Sequence, residues 1–154
     1  DHRRDHGTHA RLTVATTLVD SNVILDIATE DPVWGPWSRA ALVRAADEGP
    51  VALNQIIYAE VSVGYQTVEA LDAVLAPIAF HRLSLPWEAS FLAGKCFEKY
   101  RRRGGVRRSP LPDFYIGAHA AVAGMTLLTR DPARYRTYFP TLKLIAPASS
   151  SHSS

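Results

Sequence analysis

Four acidic residues stand where a chain of alternating strands and helices can bring them together: Asp20, Glu60, Asp113 and Asp131. Asp20 ends the β-branched run in TTLVDSNVILD and is followed at once by Ser21 and Asn22. Asp131 closes LLTRD, Asp113 opens the Ala-rich stretch DFYIGAHAAVA, and Glu60 is the one acid in QIIYAEVSVGY. Taken singly, each has an ordinary reading. Asp, Ser and Asn cap helices, an acid at a helix start suits the dipole, and Asp-Pro opens turns. Taken together they describe a crevice of carboxylates, which repel one another unless protons, cationic side chains or a divalent metal intervene. Arg130 is the only adjacent base in sequence. Mg²⁺ or Mn²⁺ suits such a place, being a hard cation that takes oxygen ligands. With a single cysteine, a Cys/His zinc site is not available.

The elements that must position these acids follow from periodicity and punctuation. Residues 13–19 read as a first strand, with a short helix at about 23–28 before the DPVWGP break. Residues 37–46 read as a helix, 51–53 as a short strand, and Asn54 as the cap of a helix over 55–65 that carries Glu60. Thr67 caps another short helix that ends before Pro77. Residues 78–83 read as a third strand, Pro86 starts a long helix to about 102, and RRRGGVRRSPLP is a loop. A helix over 113–123 is stopped by Gly124; residues 125–129 and 142–145 read as the last two strands. Strands alternating with helices predict an α/β fold: three α/β/α layers around a mostly parallel sheet of four to five strands. In such sheets ligands bind beyond the carboxyl ends of the strands, where strand order reverses. That places Asp20 and Asp131 at the carboxyl edge. Glu60 joins them only if its helix crosses that edge, and Asp113 only if its helix starts beside it.

The 154 residues predict one domain over 13–147, with 1–12 and 148–154 as disordered or extraneous tails. No run reaches the roughly 18 apolar residues that span a membrane. LTVATTLV, behind basic residues, is read as a strand and not as a leader, because Asp20 interrupts it. One cysteine cannot form an internal disulfide, so a cytoplasmic protein is expected, with Cys96 in the core. His2, His6 and His9 are not expected to form a dedicated metal site. A net charge of +2 permits a nucleic-acid partner without requiring one.

These stretches in this order resemble a PIN domain, specifically a VapC-type toxin of a toxin–antitoxin pair. LVDSNVILD resembles that family's opening strand and Asp-x-Asn turn, NQIIYAEVSVG its Glu-bearing helix, and PDFYIGAHAAVAGMTLLTRD its late Asp-led helix, strand and Thr-x-Asp turn. The resemblance spans about 16–147. It implies an acidic cluster of Asp20, Glu60, Asp113 and Asp131 serving as catalytic residues and metal ligands, with Asn22 and Thr129 as polar supports. Two features depart from the pattern. The family commonly has Asn where Asp131 stands, with a further acid three residues on, where this chain has Arg134. Bulky Phe114 and Tyr115 follow Asp113 in place of smaller residues.

What the resemblance implies is Mg²⁺- or Mn²⁺-dependent hydrolysis of RNA by water, leaving 5′-phosphate and 3′-hydroxyl ends. It also implies an antitoxin partner bound over the crevice, and a homodimer. Arg101, Arg102, Arg103, Arg107 and Arg108 lie just before Asp113 and are candidates for RNA phosphate contact. Trp34 and Trp37 are assigned to packing before base stacking, and His119 to a core or surface role before ligation. A haloacid-dehalogenase-type phosphohydrolase is disfavoured: it requires a second Asp where Asn22 stands, and a late lysine. A non-catalytic PIN-like RNA-binding or scaffold protein is the other alternative, disfavoured because all four acids are present.

Overall fold

The computed structural model describes residues 15–148; the terminal segments, with His2, His6, His9 and the expected boundary at residue 13, lie outside the described residues. The central strand is β1 (Thr17–Val19), followed by helices α1 (Ser21–Ala28) and α2 (Gly35–Glu48). Next come β2 (Val51–Leu53), α3 (Gln55–Ser62), α4 (Val68–Leu75), a 3₁₀ turn (Ala76–Ile78) and β3 (His81–Arg82). The chain closes with α5 (Trp87–Arg102), α6 (Pro112–Ala123), β4 (Thr126–Leu128), α7 (Ala133–Tyr138) and β5 (Leu144–Ile145).

All five strands are parallel, in the order β3-β2-β1-β4-β5. Each residue of β1, β2 and β4 is buried whichever way its side chain points, so helices cover both faces of the sheet. The three-layer expectation therefore holds. From β1 the chain steps one way to β2 and β3, then crosses over to β4 and β5 on the other side. Right-handed crossovers put α1 to α4 on one face and α5 to α7 on the other. In the packing, α1 lies against α2 and α3, and α6 lies against α5 and α7 and also touches α3. Strand order thus reverses between β1 and β4, whose register pairs Thr17 with Thr126 and Val19 with Leu128. Leu18, Val19, Leu127 and Leu128 are fully buried at this seam. Trimming one of them to Ala costs about 2–5 kcal/mol.

Local differences from the sequence reading have local causes. The third strand is only His81–Arg82, because Pro77 lies in a 3₁₀ turn and Ala79 then reverses the chain in the left-handed region (φ 58°). Helix α3 stops at Ser62, short of 65. Helix α7, between Pro132 and Pro140, was not anticipated, although Tyr135, Tyr138 and Phe139 stand at helical spacing. Gly117 lets α7 approach, since a Cβ there would collide with the Phe139 ring.

Candidate active site

Asp20 leaves β1 with extended backbone (φ −65°, ψ 151°) and caps α1, its Oδ1 accepting from the Ser21 N–H at 2.8 Å. The cap uses only one oxygen; the other faces the switch point. Oδ2 accepts from Thr129 Oγ1 at 2.9 Å, Tyr135 OH at 2.9 Å and Asn22 Nδ2 at 3.3 Å. Asn22 and Thr129 thus both donate to Asp20. The Asn22 side chain also reaches across to β4, its Oδ1 accepting from the Arg130 N–H at 3.1 Å. All of Asp20's donors are neutral, and the residue is 3% exposed. Burial pushes its carboxyl up to about 6; the Thr129 and Tyr135 hydroxyls counter that, and Asp113 adds repulsion.

Glu60 reaches the same place because α3 does cross the carboxyl edge. Ser21 Oγ donates to its Oε1 at 2.8 Å. Its carboxyl is half-buried and held above the usual range, first by burial, then by the charge of Asp113, against the Ser21 hydrogen bond. Asp113 lies in the first turn of α6 beside the edge. Its Oδ1 lies 3.5 Å from Tyr135 OH and its Oδ2 3.4 Å from the Arg134 guanidinium. Burial raises this carboxyl too, opposed chiefly by Arg134. Tyr135, buried at 1% exposure, so bridges Asp20 and Asp113.

Asp131 stands apart. Its carboxylate is 71% exposed and pairs with Arg130 at 3.4 Å, while its N–H donates to Thr129 Oγ1 at 3.1 Å. Its charge still adds to the repulsion felt by Asp113. The structure thus brings Asp20, Glu60 and Asp113 together and leaves Asp131 on the rim. Among the described residues, no group of three or more His, Cys, Asp and Glu side chains is disposed to hold a metal ion. The acids' inner oxygens are taken up by Ser21, Thr129, Tyr135 and Arg134. The donor chemistry nevertheless fits a hard divalent cation: three carboxylates, with Asp20's charge met only by neutral groups.

Tyr135 carries no site signal in the sequence, and Arg134 shows there only as a departure from the family pattern; the short helix that carries both is what brings them to the acids. Arg130, the only adjacent base in sequence, is committed elsewhere. Its guanidinium holds Asp26 through two bonds, at 2.8 and 3.0 Å, with Ser38 Oγ on the same carboxylate at 2.8 Å. It also lies over the Trp34 ring, which packs edge-on against Trp37. Both tryptophans are thereby held in packing. His119 is core: its Nδ1 lies 2.9 Å from Asn54 Nδ2, and Asn54 Oδ1 caps α3 through the Ile57 N–H. Cys96 is buried, and burial raises its thiol.

The five arginines of the basic tract are all exposed. Arg101 donates to the Arg107 carbonyl, Arg102 pairs with Glu98 at 3.9 Å, and Arg103 lies over the Tyr138 ring of α7. A cavity of about 560 Å³ lies at the opposite, amino-terminal end of the strands, lined by Thr17, Thr126, Trp37, Arg44 and Lys143, away from the acids.

Residues 17–140 match the PIN domain. The chain belongs to the PIN-domain family. Its fold is similar to solved chains described as VapBC2 from Rickettsia felis bound to a promoter DNA fragment (TM-score 0.66, 17% identity, 86% of this chain and 99% of that one). It is likewise similar to VapBC-1 from nontypeable Haemophilus influenzae (0.64, 17%, 85% and 97%). VapBC-5 from Mycobacterium tuberculosis, a member of the VapBC family of toxin–antitoxin systems, gives a TM-score of 0.54 at 22% identity over 88% and 99%. No curated protein matches the chain. Among the described residues no helix is long and apolar enough to cross a membrane.

Proposed function

We propose that this PIN-domain protein is the toxin of a toxin–antitoxin pair and a Mg²⁺- or Mn²⁺-dependent endoribonuclease. The observation that carries the reading is the convergence at the switch point: Thr129 holds Asp20 across the β1–β4 seam, Ser21 holds Glu60, and Tyr135 bridges Asp20 and Asp113. Asp20, Glu60 and Asp113 would hold the metal, directly or through water, with Asp131 contributing charge from the rim. A bound divalent cation supplies a water of lowered pKa and positive charge for the scissile phosphate. The residues do the rest. Asp20, clamped by four neutral donors, fixes one oxygen towards the seam. Glu60 has one oxygen held by Ser21, and its Oε2 accepts no hydrogen bond among the described residues. That oxygen, on a carboxyl already raised by burial, is the one best suited to take the proton of the attacking water. Attack by water leaves 5′-phosphate and 3′-hydroxyl ends.

Arg101, Arg102, Arg103, Arg107 and Arg108 would take RNA phosphates along the approach to α7. A cognate antitoxin is proposed as partner, consistent with the toxin–antitoxin assemblies named among the similar structures. A homodimer is proposed too: Trp87 (88% exposed) and Phe91 lie one turn apart on α5, an apolar patch of the kind an interface covers. The single cysteine fits a cytoplasmic site of action.

The test is cleavage of end-labelled RNA with Mg²⁺, with Mn²⁺ and with chelator. Wild type is expected to cut only with metal, and Asp20→Asn and Asp113→Asn to fall by at least about a hundredfold while staying folded. Cleavage unaffected by chelator removes the metal, and folded protein that binds RNA without cutting it makes this a binding module.

A further inference from the structure

We infer that Arg134 is an internal counter-ion of the acidic crevice, competing with the metal for Asp113 and then binding the substrate phosphate. The inference rests on the nuclease reading above and adds a residue to it. In α7 successive side chains are turned about 100° from each other. Tyr135 points inward to Asp20, and Arg134 is therefore carried round to the rim. From there its guanidinium meets Asp113 Oδ2 at 3.4 Å, the oxygen that Tyr135 does not face.

Among the described residues this is the one cation paired with any of Asp20, Glu60 and Asp113; the other donors to them are hydroxyls, an amide and a backbone N–H. The two other cationic groups of the region are differently placed. Arg130 is locked to Asp26, and the basic tract makes no contact with the acids among the described residues. The Arg134–Asp113 contact is long, and the arginine side chain is 42% exposed. A pair of this kind is weak and readily displaced.

To hold a divalent ion through Oδ2, Asp113 would have to release the guanidinium. The freed group remains at the mouth, where the scissile phosphate has to lie. A planar fork of N–H donors matches phosphate oxygens, and a positive group there stabilises charge that builds during phosphoryl transfer. Arg134 is thus assigned to the substrate in the loaded enzyme and to Asp113 in the empty one.

The test uses two measurements whose expected signs differ, on full-length Arg134→Gln and Arg134→Lys. Mn²⁺ affinity is read without RNA, by counting free Mn²⁺ by electron paramagnetic resonance. Single-turnover RNA cleavage is read at saturating Mn²⁺. Arg134→Gln should bind Mn²⁺ about two- to fivefold more tightly, since an exposed opposing pair has gone, yet cleave at least about tenfold more slowly. Arg134→Lys should keep wild-type Mn²⁺ affinity and recover part of the rate. Loss of both affinity and rate would make Arg134 a structural residue, unchanged affinity removes the competition, and tighter Mn²⁺ with undiminished cleavage removes the phosphate contact. Wild type that binds no Mn²⁺ overturns the metal reading and this inference together.

Discussion

Asp20 and Asp26 stand six residues apart at the start and within α1, and consecutive residues of one turn, Thr129 and Arg130, reach across the seam to hold them. Both carboxylates are almost fully buried. Asp26 receives a guanidinium through two bonds and a serine hydroxyl, so its charge is matched by charge. Asp20 receives only neutral donors, and burial lifts it to about 6. A carboxylate kept for structure is neutralised in place. The one proposed to hold a cation is hydrogen-bonded into position by neutral groups and left with its charge unbalanced. The difference lies in two adjacent side chains, a hydroxyl against a guanidinium.

Breaking the compensated side should show up in stability. Asp26→Ala strands the partly buried Arg130 guanidinium and should destabilise the fold by about 3–5 kcal/mol, measured by denaturant unfolding. Should it cost less than about 1 kcal/mol, the pair is not what ties α1 to β4.

Removing the Tyr135 hydroxyl probes the uncompensated side. Tyr135→Phe deletes a donor that lowers the Asp20 pKa, so that value should rise further. Protonated Asp20 binds metal poorly, so Mn²⁺ affinity near pH 6.5 should drop several-fold and recover by pH 8. An affinity loss equal at both pH values would mean that the hydroxyl acts by packing alone.

The unbalanced charge itself should have a signature in the metal-free protein. A carboxyl raised from 3.8 to about 6 contributes stability that is fully present below pH 3.8 and lost as pH rises through 6. The loss is about 3 kcal/mol by pH 7.5. Asp20→Asn relieves it but sets an amide against the donors now facing Oδ2, for a net gain of about 1 kcal/mol at pH 7.5. At about pH 3.5, where both folded and unfolded Asp20 are largely protonated, the relief vanishes, and the variant should be the less stable of the two. Melting curves in chelator at both pH values test this crossover, and one sign at both would refute it.

The rim should respond least. Asp131→Asn should change cleavage by less than about threefold, since its exposed carboxylate is screened. A larger loss returns Asp131 to the ligand set. Arg107→Ala with Arg108→Ala should flatten the salt dependence of RNA binding by about one to two counterions.

The sequence made the seam legible because burial and capping are written locally. Apolar runs ending in Asp20 and Thr129, the Asn54 and Thr67 caps and the Gly124 stop all sit at the expected elements. Periodicity carried Glu60 and Asp113 as far as their helices, and only the crossing of α3 over the sheet edge brought Glu60 to Ser21. Arg134 and Tyr135 were illegible for another reason. Helix α7 has six residues between two prolines, so the single helical repeat of Tyr135, Tyr138 and Phe139 is too little to identify it, and its place depends on Gly117 admitting Phe139. Asp131 lies on the rim: following a strand places a backbone but leaves the direction of its side chain open.

The bond between Asn54 and His119 has a consequence for protons. Because Asn54 Oδ1 already accepts from Ile57 N–H, its amide must donate to His119, which fixes Nδ1 as the bare nitrogen and Nε2 as the protonated one. Burial lowers the pKa of this ring, and a proton on Nδ1 would set two donors face to face. The imidazole is thus a neutral spacer of settled tautomer between the helix of Glu60 and the helix of Asp113. Its ¹⁵N resonances should report an unprotonated Nδ1 at neutral pH, with any titration displaced below that of a free imidazole.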